Sequence, residues 1–382
     1  MLYLDCAATT PLDPRVREEV MRFLGEEFGN SGSRTHDYGV RARRAVEQAR
    51  DRIAAVVMAG RGDIVFTSGA TESNNLALLG LAEHGRTTGR THLVSTLIEH
   101  PAVLEPLRWL SERGFSLTLV APGPGGRVDA HAVHAAVRND TLLVSVMQAN
   151  NETGVLQPID QIADSLADHP AYFHVDAAQA FGRDLAPLQN PRVDLVAVSG
   201  HKIYAPKGVG ALLTRRRNGQ RPPLTPLMHG GGQERGLRPG TLPVHLIAGF
   251  GFAAALAADE MQERTRKCLA FRERLLAALG PLSPVLNGDQ RHVLPHIINL
   301  SFPGLDSEDV MAALAELVAI SNGSACTSQS LTCSHVLSAM GLGTNVMEGA
   351  LRWSWSHMTG EPDWQKIAQA IMALRQDTTP RP

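Results

Sequence analysis

What this sequence has little of narrows it first. Cysteine occurs only four times, at Cys6, Cys268, Cys326 and Cys333, with no CxxC pair and no histidine spacing of the kind a zinc site needs. The formal charge is −2, so no global basic field exists to hold nucleic acid or an anionic membrane, and no direct nucleic-acid binding is expected. No apolar run approaches the roughly 18 residues of a membrane span. The opening MLYLDCAATTPLD lacks the basic start and apolar core of a secretion signal and carries Asp5. Together these absences leave small molecules and other proteins as partners, and a reducing cytoplasm as the expected compartment.

What is present describes a globular chain. The 382 residues, 43% hydrophobic and 19% charged, exceed one usual domain length and suffice for a sizeable core. Basic runs such as Arg215 to Arg217 alternate with apolar or acidic residues and read as solvated surface.

Through the first two thirds, short β-branched runs alternate with amphipathic segments. The runs are DIVFTS (63–68), HLVST (92–96), SLTLV (116–120), LLVSVM (142–147), YFHVD (172–176), DLVAVS (194–199) and VGALLT (209–214). Helix starts are signalled between them, as by Asp13 then Pro14, or by Asp129. The alternation predicts an α/β fold with a largely parallel seven-stranded sheet covered by helices. A long helical stretch over 243–279 breaks the rhythm. Strand HIINLSF (296–302), helix 307–317, strand 318–325, strand LRWSWS (351–356) and a last helix from about Pro362 then predict a smaller α+β domain. The expected division is 13–258 for the large domain, with 1–12 and 259–382 forming the small one. A Pro- and Gly-rich connection, 215–236, is too long for an ordinary turn.

The unusual polar residues gather where such sheets bind ligands, beyond the carboxyl ends of strands. After DIVFTS comes GATESNN (69–75), readable as a phosphate cradle or as an ordinary strand-to-helix turn. Asp176 ends a buried strand; it suits a partner for a protonated pyridine nitrogen, or a simple helix cap. Lys202, after Gly200 and His201, suits a Schiff base, because partial burial and cationic neighbours make an amine nucleophilic. The alternative is an exposed loop lysine, and Lys207 in its turn has a weaker claim. His100 and Asn151 could serve an aromatic cofactor or merely cap and turn. Cys326, among small and hydroxylated residues, is either an accessible nucleophile or a buried structural thiol. Cys333 is read as incidental.

In chain order these residues resemble the class V aminotransferase-like cysteine desulfurases, the NifS and IscS type. The resemblance runs from LDCAATTPLDP to LRWSWS, and its specific motifs are TSGATESNN, VDAAQAFG, SGHKIYAPKGVGAL, HGGGQERGLRPGTLP and NGSACTSQSL. It implies fold type I of the pyridoxal 5'-phosphate enzymes and a homodimer with shared sites. Lys202 matches the lysine that holds the cofactor, Asp176 the partner of the pyridine nitrogen, and Gln179 with Asn151 the neighbours of the ring hydroxyl. His100 matches the stacking histidine. Ala70, Thr71, Ser199 and His201 match the phosphate ligands, and Thr241 a residue reaching the phosphate of the other subunit. Arg352 and Asn30 match the groups binding the substrate carboxylate, and Cys326 the cysteine that takes sulfur from L-cysteine.

Three departures accompany the resemblance: Cys6 where an aromatic residue is usual, GNSGS (29–33) for GNPAS, and NG before SAC. They imply a differently shaped substrate mouth, while the lack of glycine in the loop after Cys326, with β-branched and apolar residues just upstream, implies a less mobile cysteine; the departures around Cys326 lean toward the DndA type that serves DNA phosphorothioation. Iron–sulfur assembly is the other destination implied for the sulfur, through a protein acceptor. Selenocysteine lyase or cysteine sulfinate desulfinase activity on the same scaffold is the alternative chemistry. A catalytically idle homologue is a third reading, against which stand Lys202, Asp176 and Cys326, all present.

Overall fold

The computed structural model describes residues 1–322 and 334–376; Cys326 and Cys333 lie outside the described residues. The chain opens on a short strand, β1 (Leu2–Tyr3), and then builds the main sheet from β2 (Ile64–Thr67), β3 (His92–Thr96), β4 (Ser116–Val120), β5 (Thr141–Met147), β6 (Tyr172–Asp176), β7 (Leu195–Ser199) and β8 (Gly210–Thr214). Their order across the sheet is β2-β8-β7-β6-β5-β3-β4. The pairs from β4 to β7 are parallel, and β8 runs antiparallel between β7 and β2. All seven runs read from the sequence are strands. Except in edge strand β4, where only Val120 is buried, their near-continuous apolar character follows from burial on both faces, complete along β5, β7 and β8.

Helix starts follow the capping residues. Asp13 accepts from the Arg15 N–H at 2.9 Å with Pro14 in the first turn, and Asp129 accepts from His131 at 3.0 Å. Helix Val244–Asp259 lies against helix Asp37–Val56, and the approach is close because Gly251 has no side chain: a Cβ there would sit 2.4 Å from Ala49 Cα. The stretch read as one helix over 243–279 is two, Val244–Asp259 and Met261–Leu279, bent by 74°. The break falls at Glu260, whose backbone leaves the helical region and whose carboxylate bonds Arg15 (2.6 Å) and Arg264 (2.9 Å).

The remaining strands are β9 (Val285–Asn287), β10 (Ile297–Ser301), β11 (Val318–Ala319) and β12 (Ala350–Ser354). They form an antiparallel sheet β12-β10-β9 and a parallel pair β1-β11. Strand β11 is shorter than the run 318–325 suggests. Its partner β1 is two residues long, after which Ser321 turns to bridge Arg352 of β12. Leu4, Phe271, Leu300, Trp353, Trp355 and Ile371 form a core here, separate from the one around Ile53, Phe173, Val196 and Phe250 beside the main sheet.

The long connection after β8 is pinned rather than loose. Glu234 is buried, adopts φ 47°, and takes a two-pronged ion pair from Arg50 at 2.7 and 2.8 Å together with the Phe66 N–H at 2.7 Å. Arg235 follows at φ 60°. Two successive non-glycine residues in this region cost on the order of 1 kcal/mol each or more, and the buried ion pair holds them there.

Candidate active site

The sheet register places the ends of β5 and β6 side by side, Met147 opposite Asp176 and Asp176 opposite Ala197, with Ser199 ending β7 close by. A cleft of about 500 Å³ opens at these ends, within the size range of cofactor sites.

One end of the cleft is an anion cradle. Strand β2 ends at Thr67, and after Ser68 the chain turns at Gly69, which takes φ +157°, a region open only to glycine. The backbones crowd here, since a Cβ on Gly210 would lie 2.6 Å from Gly69 Cα. Helix Ala70–Gly80 then starts with its first N–H groups toward the cleft, where Ala70, Thr71, Ser199 and His201 all line the wall. Glu72, in the first turn of this helix, is tied to Arg238 (2.9 Å) and to the Ser68 N–H (2.7 Å).

The middle holds the groups suited to an aromatic ring. Both readings of Asp176 hold at once: Oδ1 accepts the Ala178 N–H at 2.9 Å and closes a turn, while Oδ2 accepts the Asn74 amide at 2.8 Å, and the carboxylate still faces the cleft. His100 likewise caps helix Pro101–Ser111, its Nδ1 accepting the Ala102 N–H at 3.1 Å, which fixes the ring proton on Nε2. Burial, with the Lys202 charge adding to it, holds the His100 pKa below the usual imidazole value, so the ring facing the cleft is neutral at pH 7. Burial first, then Lys202 and Lys207, push His201 down to about 4.

Lys202 reaches the same space. Its Nζ donates to the carbonyl of Ala8 at 2.9 Å and to that of Ala7, and its own carbonyl accepts from Arg183 at 2.6 Å. Gln179 donates to Ala7 at 2.9 Å, leaving its buried Oε1 without a partner. Arg352, 4% exposed, comes from β12 and lines the cleft with Asn151. Its guanidinium donates to Asp5 Oδ1 at 2.7 Å and to the Asn151 carbonyl at 3.0 Å.

Ten of the residues singled out in the sequence therefore converge: Ala70, Thr71, His100, Asn151, Asp176, Gln179, Ser199, His201, Lys202 and Arg352. Asn30 and Thr241 do not line the cleft of their own chain; both are exposed, and the Asn30 side chain accepts the Gly32 N–H at 2.8 Å. Cys326 is outside the described residues. Sequence reasoning missed Asp5, Ala7, Ala8, Asn74 and Arg183. Asn74 sat inside a motif already noted, whereas backbone acceptors such as Ala7 and Ala8 leave no mark in a sequence.

These residues fit pyridoxal phosphate. A dianion suits the helix terminus with Ser199, a ring N–H suits Asp176, and the unpartnered acceptor of Gln179 suits a ring hydroxyl. A second hollow of about 450 Å³, between Arg15, Glu260 and Arg264, is walled largely by ions already paired to one another.

The fold and cleft define a protein class, and the comparisons agree: residues 2–363 match the Aminotransferase class-V family model, and the chain belongs to that family. Fold type I of the pyridoxal-phosphate enzymes is its architecture. Among curated relatives, the chain is 47% identical over 363 residues to "Cysteine desulfurase IscS" of Methylococcus capsulatus, covering 95% of this chain and 89% of that one. Among solved structures, DndA from Streptomyces lividans is similar at 50% identity and a TM-score of 0.82, over 94% of this chain and 100% of that one. SspA, solved in complex with cysteine, is similar at 36% identity and a TM-score of 0.81, over 93% and 98%.

Proposed function

We propose that this protein is a cysteine desulfurase that uses pyridoxal 5'-phosphate to take the sulfur of L-cysteine, leaving L-alanine, and passes that sulfur to a protein acceptor. The single observation that carries this reading is the convergence of the Lys202 amine, the Asp176 carboxylate, the neutral His100 ring and the Arg352 guanidinium on one cleft, in a chain nearly half identical to named cysteine desulfurases.

Each residue has a part. Lys202 Nζ, set in the cleft by the Ala7 and Ala8 carbonyls, would hold the cofactor and, once free, move the Cα proton of the substrate. Asp176, oriented by Asn74 and the Ala178 N–H, keeps a proton on the ring nitrogen. His100 would pack against the cofactor ring, with Nε2–H available as a donor. Ala70, Thr71, Ser199 and His201 hold the phosphate, and Gln179 and Asn151 the ring hydroxyl. Arg352 anchors the substrate carboxylate. When bound, the cofactor supplies an electron sink for the charge left at Cα. The Cys326 thiolate attacks the substrate sulfur, the C–S bond breaks, and its carbon is reprotonated. L-cysteine and the Cys326 thiol thus become L-alanine and a persulfide on Cys326, with atoms and electrons balanced.

The protein acts as a cytoplasmic homodimer in which Thr241 reaches the partner's phosphate. Its similarity to DndA and to IscS proteins supports thio-modification or iron–sulfur assembly as the destination. Visible absorption of protein supplied with pyridoxal phosphate, followed by alanine release from L-cysteine, tests the reading. Lys202→Ala abolishes both the yellow colour and the alanine; colourless wild type after cofactor addition overturns it.

A further inference from the structure

Arg352 is held in a way that leaves it incomplete. It is 4% exposed, and a buried guanidinium needs partners for its five N–H groups. Two are used, one by Asp5 Oδ1 at 2.7 Å and one by the Asn151 carbonyl at 3.0 Å, while Nε is buried without any partner. We propose that Asp5 is a positioning residue for substrate binding, holding the Arg352 guanidinium so that its remaining N–H groups meet the α-carboxylate of an amino acid in the cleft. This rests on the reading of Arg352 as the carboxylate anchor and names what orients it.

The backbone holds Asp5 independently of its carboxylate. Asp5 bridges Ser354, two residues along β12 from Arg352, and the next residue, Cys6, donates its N–H to the Ser354 carbonyl at 3.0 Å. The Tyr3 hydroxyl donates to the Asp5 carbonyl at 2.9 Å. Two residues on, the carbonyls of Ala7 and Ala8 accept the Lys202 amine. One short segment, 5–8, therefore sets where the guanidinium and the amine lie relative to each other, and an α-amino acid presents its carboxylate and amine at one fixed separation.

The alternative role for Asp5, simple neutralisation of a buried arginine, makes the opposite prediction. A carboxylate that only screens Arg352 weakens the attraction for a second carboxylate, so its removal tightens substrate binding. A carboxylate that orients Arg352 has the reverse effect, because an arginine free to turn gives up one fixed, charge-assisted fork.

The test uses the cofactor-loaded enzyme, wild type and Asp5→Asn, titrated with L-alanine and with cysteamine, which has the amine and thiol of cysteine but no carboxylate. Binding is followed by calorimetry and by the cofactor's absorption. The expected result is about tenfold weaker L-alanine binding with cysteamine binding unchanged, and a matching rise in KM for L-cysteine, the loss falling on KM rather than on kcat. Equal weakening of both ligands marks a structural defect and overturns the proposal, as does unchanged or tighter L-alanine binding. Arg352→Met separates the two levels of the argument: unchanged L-alanine binding in that variant removes the anchor reading itself, and this proposal with it.

Discussion

Asn74, in the helix that follows β2, donates its side-chain amide to Oδ2 of Asp176 at the end of β6, 2.8 Å away across 102 residues of sequence. This bond, with the Ala178 N–H on the other oxygen, fixes the Asp176 carboxylate where it faces the cleft, suited to hold a proton on a pyridine nitrogen. Asn74→Ala removes a hydrogen bond to a charged group, worth about 1.5–3 kcal/mol. The expected outcome is roughly tenfold weaker pyridoxal phosphate binding and a similar fall in alanine formation, read by absorbance titration and product assay. Asp176→Ala exceeds it by at least another order of magnitude.

Glu99 gives a pH prediction. It is fully buried beside His100; Oε1 accepts from Thr96 (2.7 Å) and the Met147 N–H (2.9 Å), and Oε2 has no partner. Burial pushes its pKa up to about 8 from 4.5. A raised folded-state value means the neutral carboxyl's stabilisation is intact below pH 4.5 and is lost as pH rises toward 8, because the unfolded chain ionises first. Glu99→Gln is permanently neutral. Thermal unfolding near pH 5 matches wild type, and at pH 8.5 the variant is the more stable by up to about 4 kcal/mol.

The buried pair of Arg50 and Glu234 supports the connection leading to Thr241. Arg50→Met strands a buried carboxylate and costs on the order of 3–5 kcal/mol by denaturant unfolding. Adding Glu234→Gln removes that stranded charge and recovers part of the loss.

How far the sequence speaks depends on the kind of interaction. The strands of the main sheet other than edge strand β4 were legible because burial on both faces writes continuous apolar runs, β4 through its alternating leucines, and helix starts because Asp13 and Asp129 cap them. The bend at Glu260 was not, since it depends on Arg15, 245 residues away. Strands β1 and β9, two and three residues long, are too short to carry a period. In the site, the side chains that meet the cofactor were legible, because lysine, aspartate and histidine at strand ends are costly without a purpose. Their supports were not: Ala7 and Ala8 act through carbonyls, and Asp5 only through a partner 347 residues distant.

The most direct test of the account is to follow both halves of one turnover. Cofactor-loaded protein receives one equivalent of L-cysteine without reductant, alanine is quantified, and the added sulfur is located by peptide mass mapping. The account predicts one alanine for each sulfur found on Cys326, and neither product in Cys326→Ala or Lys202→Ala. Alanine formed at the wild-type rate by Cys326→Ala, or sulfur carried on a different cysteine, would contradict it.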